Sequence, residues 1–262
     1  MTAKQALPHL PPLETGTSEV PYYFFPKLSS RSFLVHAVFT RHGGVSKAPY
    51  ATLNISNGTG DLQQDVQSNI NILKSVFSAQ AFCFLEQVHG RRIVVPKDHG
   101  RDDTEPRGDA LLTHRTGLAL MTKQADCQGV ILCDPLKRII ANVHCGWRGN
   151  VRNILGAAVE KMEKEYGSKA SHLMAAIGPS LGPCCAEFVS HEEIFPKDFR
   201  LFMVRENHFD LWAISRWQLL EAGLEKDNIE LACICTKCRN DLFFSYRAEK
   251  ITGRFATLVM LR

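Results

Sequence analysis

No stretch of the sequence approaches the roughly 20 apolar residues of a membrane-spanning helix, and mean composition is ordinary, with 45% hydrophobic and 22% charged residues. The opening MTAKQALPHLPPLETGTSEV lacks the apolar core of about 7–15 residues that a signal peptide carries. Both absences point to a cytoplasmic protein without membrane partners. Runs of five or more basic residues are missing and the net charge is only +4, so a nucleic-acid docking stripe is excluded and a small anionic substrate fits better. A P-loop of the form G-x-x-x-x-G-K-[ST] is also missing, which excludes the usual nucleoside triphosphate chemistry. Paired H-x-H segments, on which multi-centre copper oxidases rely, do not occur. There is no internal repeat and no low-complexity tract.

What is present reads as one α+β domain, with mixed β-sheets covered by helices over residues 31–262 and an N-terminal arm, partly loose, over residues 1–30. SFLVHAVFT is a predicted strand. A long Gly/Ser/Asn/Pro segment follows it, RHGGVSKAPYATLNISNGTGD, and loops of that length inside a domain are more often functional than linkers. Helical spacing of Leu62, Val66, Ile70, Leu73 and Phe77 predicts a helix capped by Asp61. AFCFLE, RIVV, ALLT, LALMT, GVILCD, RIIANV and LMAAIG are strand candidates, several of them apolar on both faces and hence covered on both sides. Asn150 is the expected N-cap of a helix that Gly167 ends, and LWAISRWQLLEAG is another helix. IELACI, LFFSYR and FATLVML are the last predicted strands.

Nine cysteines in a chain of this kind read as reduced thiols, packing or binding metal, and the odd number leaves one outside any intramolecular pairing. Three segments place a metal-capable side chain at a strand end: His89 in EQVHG, Cys127 in QADCQ and His144 in VHCGWRG. Two strands lie between Cys127 and His144, so a hairpin can bring them together. Structural zinc favours short-range pairs such as C-x₂₋₄-C, whereas dispersed ligands on rigid elements match a catalytic metal with an open position. Taken residue by residue, satisfied core histidines and inert buried cysteines account for the same positions.

TRHGGVS, EQVHG, ADC, HCGWRG, IGPSLGPCCAEF, FFSYR and TGR occur in the order seen in the YfiH-type family, which this chain resembles from about residue 30 to its C-terminus. Members have been called multicopper polyphenol oxidoreductases or laccases, and also zinc-dependent purine nucleoside phosphorylases. The resemblance implies a YfiH-like fold and one zinc ion at His89, Cys127 and His144. It also implies phosphorolysis of adenosine, inosine, guanosine and methylthioadenosine to base and ribose 1-phosphate, with adenosine deamination. Zinc lowers the pKa of water it binds to about 7, which suits attack at C6 of adenine. Asp126 is the sequence candidate for a proton shuttle. Arg41 and Arg148 are the candidates for holding phosphate, helped by free N–H groups in the turn Gly146–Asn150 before a helix. Phe244 and Tyr246 offer aromatic faces to a purine, and Asn54 and Asp109 are candidates for supporting the site from behind. The partners are then a nucleoside and phosphate, and the assembly a monomer or small homo-oligomer.

The chain departs from the family pattern at Cys145, where a small residue is usual, and at Gln124, where Thr commonly precedes ADC. In a strand Cys145 points opposite His144, toward the core. Trp147 is left open between pocket wall and packing. Cys235 and Cys238 resemble half of a zinc ribbon. Cys184–Cys185 is the nearby doublet that would complete it, and the reading preferred here is a pocket wall or packing role. Two other activities compete. A copper-dependent polyphenol oxidase would use copper at the His₂Cys set in the blue-copper manner. A Cys–His hydrolase, of the class that edits peptidoglycan, would use Cys127 as nucleophile and His144 as base. Alternatively, zinc staples the fold of a binding module without catalysis.

Overall fold

The computed structural model describes residues 20–77, 79–96 and 105–262. One sheet has the order β1-β2-β13-β6-β3, built from β1 (Tyr22–Tyr23), β2 (Leu34–Phe39), β13 (Phe255–Leu261), β6 (Leu118–Gln124) and β3 (Ala81–Cys83). A second has the order β12-β9-β7-β8-β5-β4, from β12 (Ile229–Leu231), β9 (Met174–Ile177), β7 (Gln128–Asp134), β8 (Ile139–Cys145), β5 (Ala110–Thr113) and β4 (Ile93–Val94). The first sheet mixes antiparallel pairs with one parallel edge pair, β3–β6, and the second with two, β12–β9 and β4–β5. A small hairpin, β10 (Met203–Arg205) with β11 (His208–Phe209), lies apart from both.

The double-sided apolar strands are explained by four layers. Val38, Leu120, Phe255 and Val259 of the first sheet meet Leu111, Ile131, Ile140 and Ala176 of the second. The outer face of the first sheet, with Phe39, Met121 and Leu258, is covered by Leu73 of α2 (Gln63–Val76). The outer face of the second, with Leu132, Ala141, Val143 and Cys145, is covered by α4 (Ile154–Tyr166) and α6 (Leu211–Glu221). The expected α+β class with covered mixed sheets is what the chain adopts.

Residues 1–19 of the expected arm lie outside the described residues. Within residues 20–30, Val20, Tyr23, Phe25 and Leu28 are buried, in or beside β1 and the short α1 (Pro26–Ser29), whereas Pro26, Lys27, Ser29 and Ser30 are exposed. Asp61 is not the cap of α2, whose N-cap is Leu62; its carboxylate instead accepts from Ser46 Oγ and Asn54 Nδ2, closing the long loop on itself. The helix expected after Asn150 is two helices. A five-residue α3 (Trp147–Val151) ends at Arg152, and Asn153, with φ 50°, restarts the chain as the N-cap of α4 by accepting from Gly156 N. Asn150 is buried, and its amide reaches Ser215 and Gln218 of α6. Gly167 ends α4 in the left-handed region as expected. LFFSYR forms no strand. Phe243 and Phe244 are buried in an irregular turn before α7 (Tyr246–Glu249), and short α5 (His191–Ile194) precedes the β10–β11 hairpin. Among the described residues no helix is long and apolar enough to cross a membrane.

One polar residue bridges the two sheets. Asn142 of β8 is fully buried; its Nδ2 donates to Leu120 O and Thr257 O of the opposite sheet, and its Oδ1 accepts from Thr122 Oγ1. Asn142→Ala strands two carbonyls and a hydroxyl in the core, so it is expected to destabilise the fold by about 2–4 kcal/mol. Urea denaturation reads this, and a midpoint equal to that of the parent would contradict the bridging role.

Candidate active site

The β7–β8 hairpin pairs Gly129 with His144 and Gln128 with Cys145, which brings Cys127, one residue before β7, level with the end of β8. Alternation along β8 sends Cys145 into the helix-covered core and His144 the other way, as expected from strand geometry. His89 arrives from the loop between β3 and β4. One donor atom from each of His89, Cys127 and His144 lies within 4.8 Å of the others, so the group can hold a metal ion. Cys127 Sγ is 3.9 Å from His89 Nε2, and the two imidazoles meet edge to face with centroids 4.9 Å apart.

Asp109 organises this cradle. It is fully buried; Oδ1 lies 2.9 Å from His144 Nδ1 and accepts from His89 N at 2.8 Å, while Oδ2 accepts from Gly90 N at 2.6 Å and Val88 N at 3.3 Å. Engaging Nδ1 leaves Nε2 of His144 as the ligand atom, the usual way a carboxylate fixes a metal-binding histidine. The same carboxylate, with Arg152 donating to His89 O, holds His89 at φ 55°. Burial opposes ionisation of Asp109, yet its bond to His144 and those from Gly90 and His89 N–H bring its pKa below the ordinary value.

The electrostatics of the cradle favour ionised side chains. Burial pushes the Cys127 thiol up, but the charge and hydrogen bonds of His144, with those of His89, bring it down to about 6. Burial likewise disfavours charged His144, but Cys127 and Asp109 raise it to about 9. Cys145, buried beside them, is pushed the other way, well above the thiol range. The donor set, one thiolate and two imidazoles, is one that zinc or copper accepts. Space is kept by Gly146, where a Cβ would lie 2.6 Å from Cys127 Sγ.

The cradle opens on a cavity of about 650 Å³. Arg148 and Tyr246, both exposed, line it, and so does Trp147, whose ring carries the Arg148 guanidinium at 4.2 Å and packs on Phe188 and Phe195. Trp147 is therefore both wall and packing. Arg41 is elsewhere. Its guanidinium pairs with Glu249 at 2.9 Å, donates to Ala51 O and Asn240 O, and sits over Phe244 at 4.5 Å. The long loop needs that cation for its own closure, so the phosphate role expected of Arg41 is withdrawn. Phe244 is fully buried beneath it and offers no face to a purine. Asn54 is buried behind the cavity, and its Oδ1 accepts from Arg254 N. Asp126 borders the cavity, but its carboxylate accepts from Thr236 Oγ1, Ser245 Oγ and Arg247 N. With three donors engaged it fastens the wall. The turn Gly146–Asn150 is α3 itself, too short to present a developed helix dipole.

Sequence reasoning passed over three cations that do line the cavity, one of them Lys123, which pairs with Glu105. Arg254 closes TGR and is mostly buried, and Arg247 closes FFSYR, with its guanidinium on Cys185 O and Glu187 O. Both stand in segments already singled out, but arginines in loops give no periodic signal. The cysteines set aside as packing are also brought together: Cys184, Cys185, Cys235 and Cys238 form a second metal-capable group.

Fold and cradle define a class of single-domain α+β proteins with a three-donor group, able to hold a metal, that opens on a cleft. The chain belongs to the family described as multi-copper polyphenol oxidoreductase laccase, whose sequence model matches residues 35–262. It is similar to a purine nucleoside phosphorylase of Bacteroides thetaiotaomicron, 32% identical over 258 residues that cover 90% of this chain and 95% of that one. Purine nucleoside phosphorylase YfiH of Escherichia coli is 31% identical over 233 residues, covering 85% and 91%. The crystal structure of YlmD from Geobacillus stearothermophilus superposes with a TM-score of 0.86 at 29% identity, covering 95% of this chain and 98% of that one.

Two outcomes follow. Gly146→Ala should weaken metal binding about 10- to 100-fold, the scale of a disturbed ligand orientation, in competition with a chromophoric chelator; unchanged affinity would contradict the close approach. In metal-free protein, alkylation of Cys127 should rise with pH through about 6, because the thiolate forms above its pKa. Cys133, raised by burial to about 12, should stay unreactive there, as peptide mapping would show.

Proposed function

We propose that this chain is a zinc-dependent purine nucleoside phosphorylase. It takes adenosine, inosine, guanosine or methylthioadenosine with phosphate to the free base and ribose 1-phosphate, and deaminates adenosine at the same centre. The observation that carries this reading is the meeting of the His89–Cys127–His144 cradle with Arg148 and Arg254 on one cavity of nucleoside size. The names of the relatives support it.

Zinc held there supplies a Lewis-acidic positive charge in a partly desolvated site. In phosphorolysis a phosphate oxygen bonds to C1′ of the ribose as the bond from C1′ to the base nitrogen breaks, and the base leaves with that electron pair and takes up a proton. Arg148, which has no carboxylate partner among the described residues, and Arg254 hold and neutralise the phosphate. Tyr246 and Trp147 give the purine apolar walls. Asn54 fixes Arg254 through its backbone, Asp126 fixes Arg247, and Asp109 keeps His144 in its ligating tautomer.

A second reading has a specific observation in its favour. Cys127, lowered to about 6 beside His144, with Asp109 behind the imidazole, is also the arrangement of a Cys–His hydrolase. Chelation separates the two, because a thiol hydrolase keeps its activity when the metal is stripped. The copper oxidase reading is separated by the ion that restores activity, and by whether phenol or nucleoside turns over.

Arg148→Ala and Arg254→Ala should each raise the phosphate KM about 10- to 100-fold, the loss expected for a charge-assisted hydrogen bond of about 1.5–3 kcal/mol. Chromatography of inosine turnover with varied phosphate measures it. Phosphate-independent rates, or an unchanged phosphate KM in both variants, would overturn the assignment. Zinc-replete protein that turns over neither adenosine nor inosine would overturn the function itself.

A further inference from the structure

Outside the cleft, four thiols converge from two distant segments. Sheet 2 places β9 and β12 side by side and parallel, and the chain leaves both strands at the same end. The pairing continues beyond them, with Ser180 bridging Cys235, Ser180 N bonded to Ile234 O and Thr236 N to Ser180 O. Each strand then enters a tight turn. After β9, Cys185 N returns to Gly182 O across Pro183, and after β12, Arg239 N returns to Cys235 O across Thr236 and Cys238. The first turn carries Cys184 and Cys185, the second the C-x₂-C pair Cys235 and Cys238.

The geometry points to a closed four-thiolate site here, and we propose that it holds a structural zinc ion. All four sulfurs lie within 4.8 Å of one another, with Cys238 Sγ 3.5 Å from Cys184 Sγ and 3.6 Å from Cys185 Sγ. A tetrahedron with Zn–S of about 2.3 Å has sulfurs about 3.8 Å apart. Cys238 is thus nearly equidistant from two partners at the spacing that a shared ion sets. A disulfide would instead select one of them. Backbone N–H groups of Gly182 and Cys238 bond Cys235 Sγ, Lys237 stands inside the second turn, and the Arg205 guanidinium reaches Cys184 O. Gly182 is required for the approach, since a Cβ there would lie 3.0 Å from the Cβ of Cys235 and 2.7 Å from Trp212. Binding is an exchange of ligands for protons: four Zn–S bonds form as the thiols release their protons to solvent.

The ion's task follows from what the two turns carry. Thr236, inside the C-x₂-C turn, donates to Asp126; Leu181, beside the other turn, donates its N–H to Asp126 O; and Cys185 O accepts from Arg247. Leu181, Asp126 and Arg247 all line the cavity. The knot clamps two loops that share one wall of the cleft, about which neither loop has regular secondary structure of its own.

Elemental analysis and native mass spectrometry of the full-length protein test this without reference to catalysis. Two zinc ions per chain are expected, falling to one in His89→Ala/His144→Ala and to one in Cys184→Ser/Cys238→Ser. The remaining ion of the histidine variant, exchanged for cobalt, should show intense sulfur-to-cobalt charge transfer and the visible bands of a four-sulfur tetrahedron. A histidine variant that is folded and zinc-free would overturn the proposal, even if the cysteine variant fails to fold. So would a parent chain lighter by two hydrogens with Cys238 disulfide-linked, or iron in place of the second zinc. Two zinc ions in a protein that turns over no nucleoside would refute the phosphorylase reading and leave this one standing.

Discussion

A single buried carboxylate, Asp109, is the constraint on which the rest of the cradle depends. It sits at the edge of β5 with no solvent contact, so its charge has to be balanced by donors from the protein. Those donors are three consecutive backbone N–H groups from the His89 loop and the ring of His144. One side chain thereby sets the left-handed turn that aims His89 and the tautomer that aims His144. The two imidazoles come from segments more than fifty positions apart in the chain, yet they answer to the same two oxygen atoms. Cys127 completes the set by hairpin register alone.

The layers around it explain why such a polar site can exist at the edge of so apolar a core. Helices cover the outer faces of both sheets, and the inner faces close on each other. Asn142 ties the sheets through three hydrogen bonds two residues before His144 on the same inward-facing side of β8. The bridge holds fixed the distance between the strand that carries His144 and the opposite sheet, whose β13 is continued backward by Arg254. Metal cradle and cation wall are therefore parts of one rigid arrangement.

Much of this was legible in the chain. Strands apolar on both faces foretold sheets with two covers, and alternation separated His144 from Cys145 before any coordinates. The hairpin between Cys127 and His144 followed from two apolar runs and a turn, and His89 stood out with them at a strand end, although their choice over inert packing as one ligand set came from family resemblance. What was illegible was non-local. Arg41 and Phe244 read as binding groups because loops and aromatics invite that reading, but they satisfy each other, cation over ring, two hundred positions apart. Asp61 and Asn150 have the residue type of helix caps, and tertiary partners claimed both side chains first. The four cysteines were visible as two halves of a zinc ribbon, but packing was the preferred reading because the halves lie some fifty positions apart and only the neighbouring strands join them.

The alternation of β8 makes parity the selector of chemistry on this strand. His144 and Cys145 differ by one position and occupy opposite worlds, a ligand in an electrostatically tuned cradle and a thiol sealed under α4. Register opposite β7 decides which is which, with Gly129 facing His144. A slip of one residue would offer the soft ligand where the borderline one belongs, and would bury an imidazole among Ile154, Leu155 and Val159. The opposite sheet holds position 129 to glycine, because any side chain there would meet Thr257 at 2.4 Å. Which side chain joins the metal-capable group is thus written in the counting of a strand as much as in the residue that fills it.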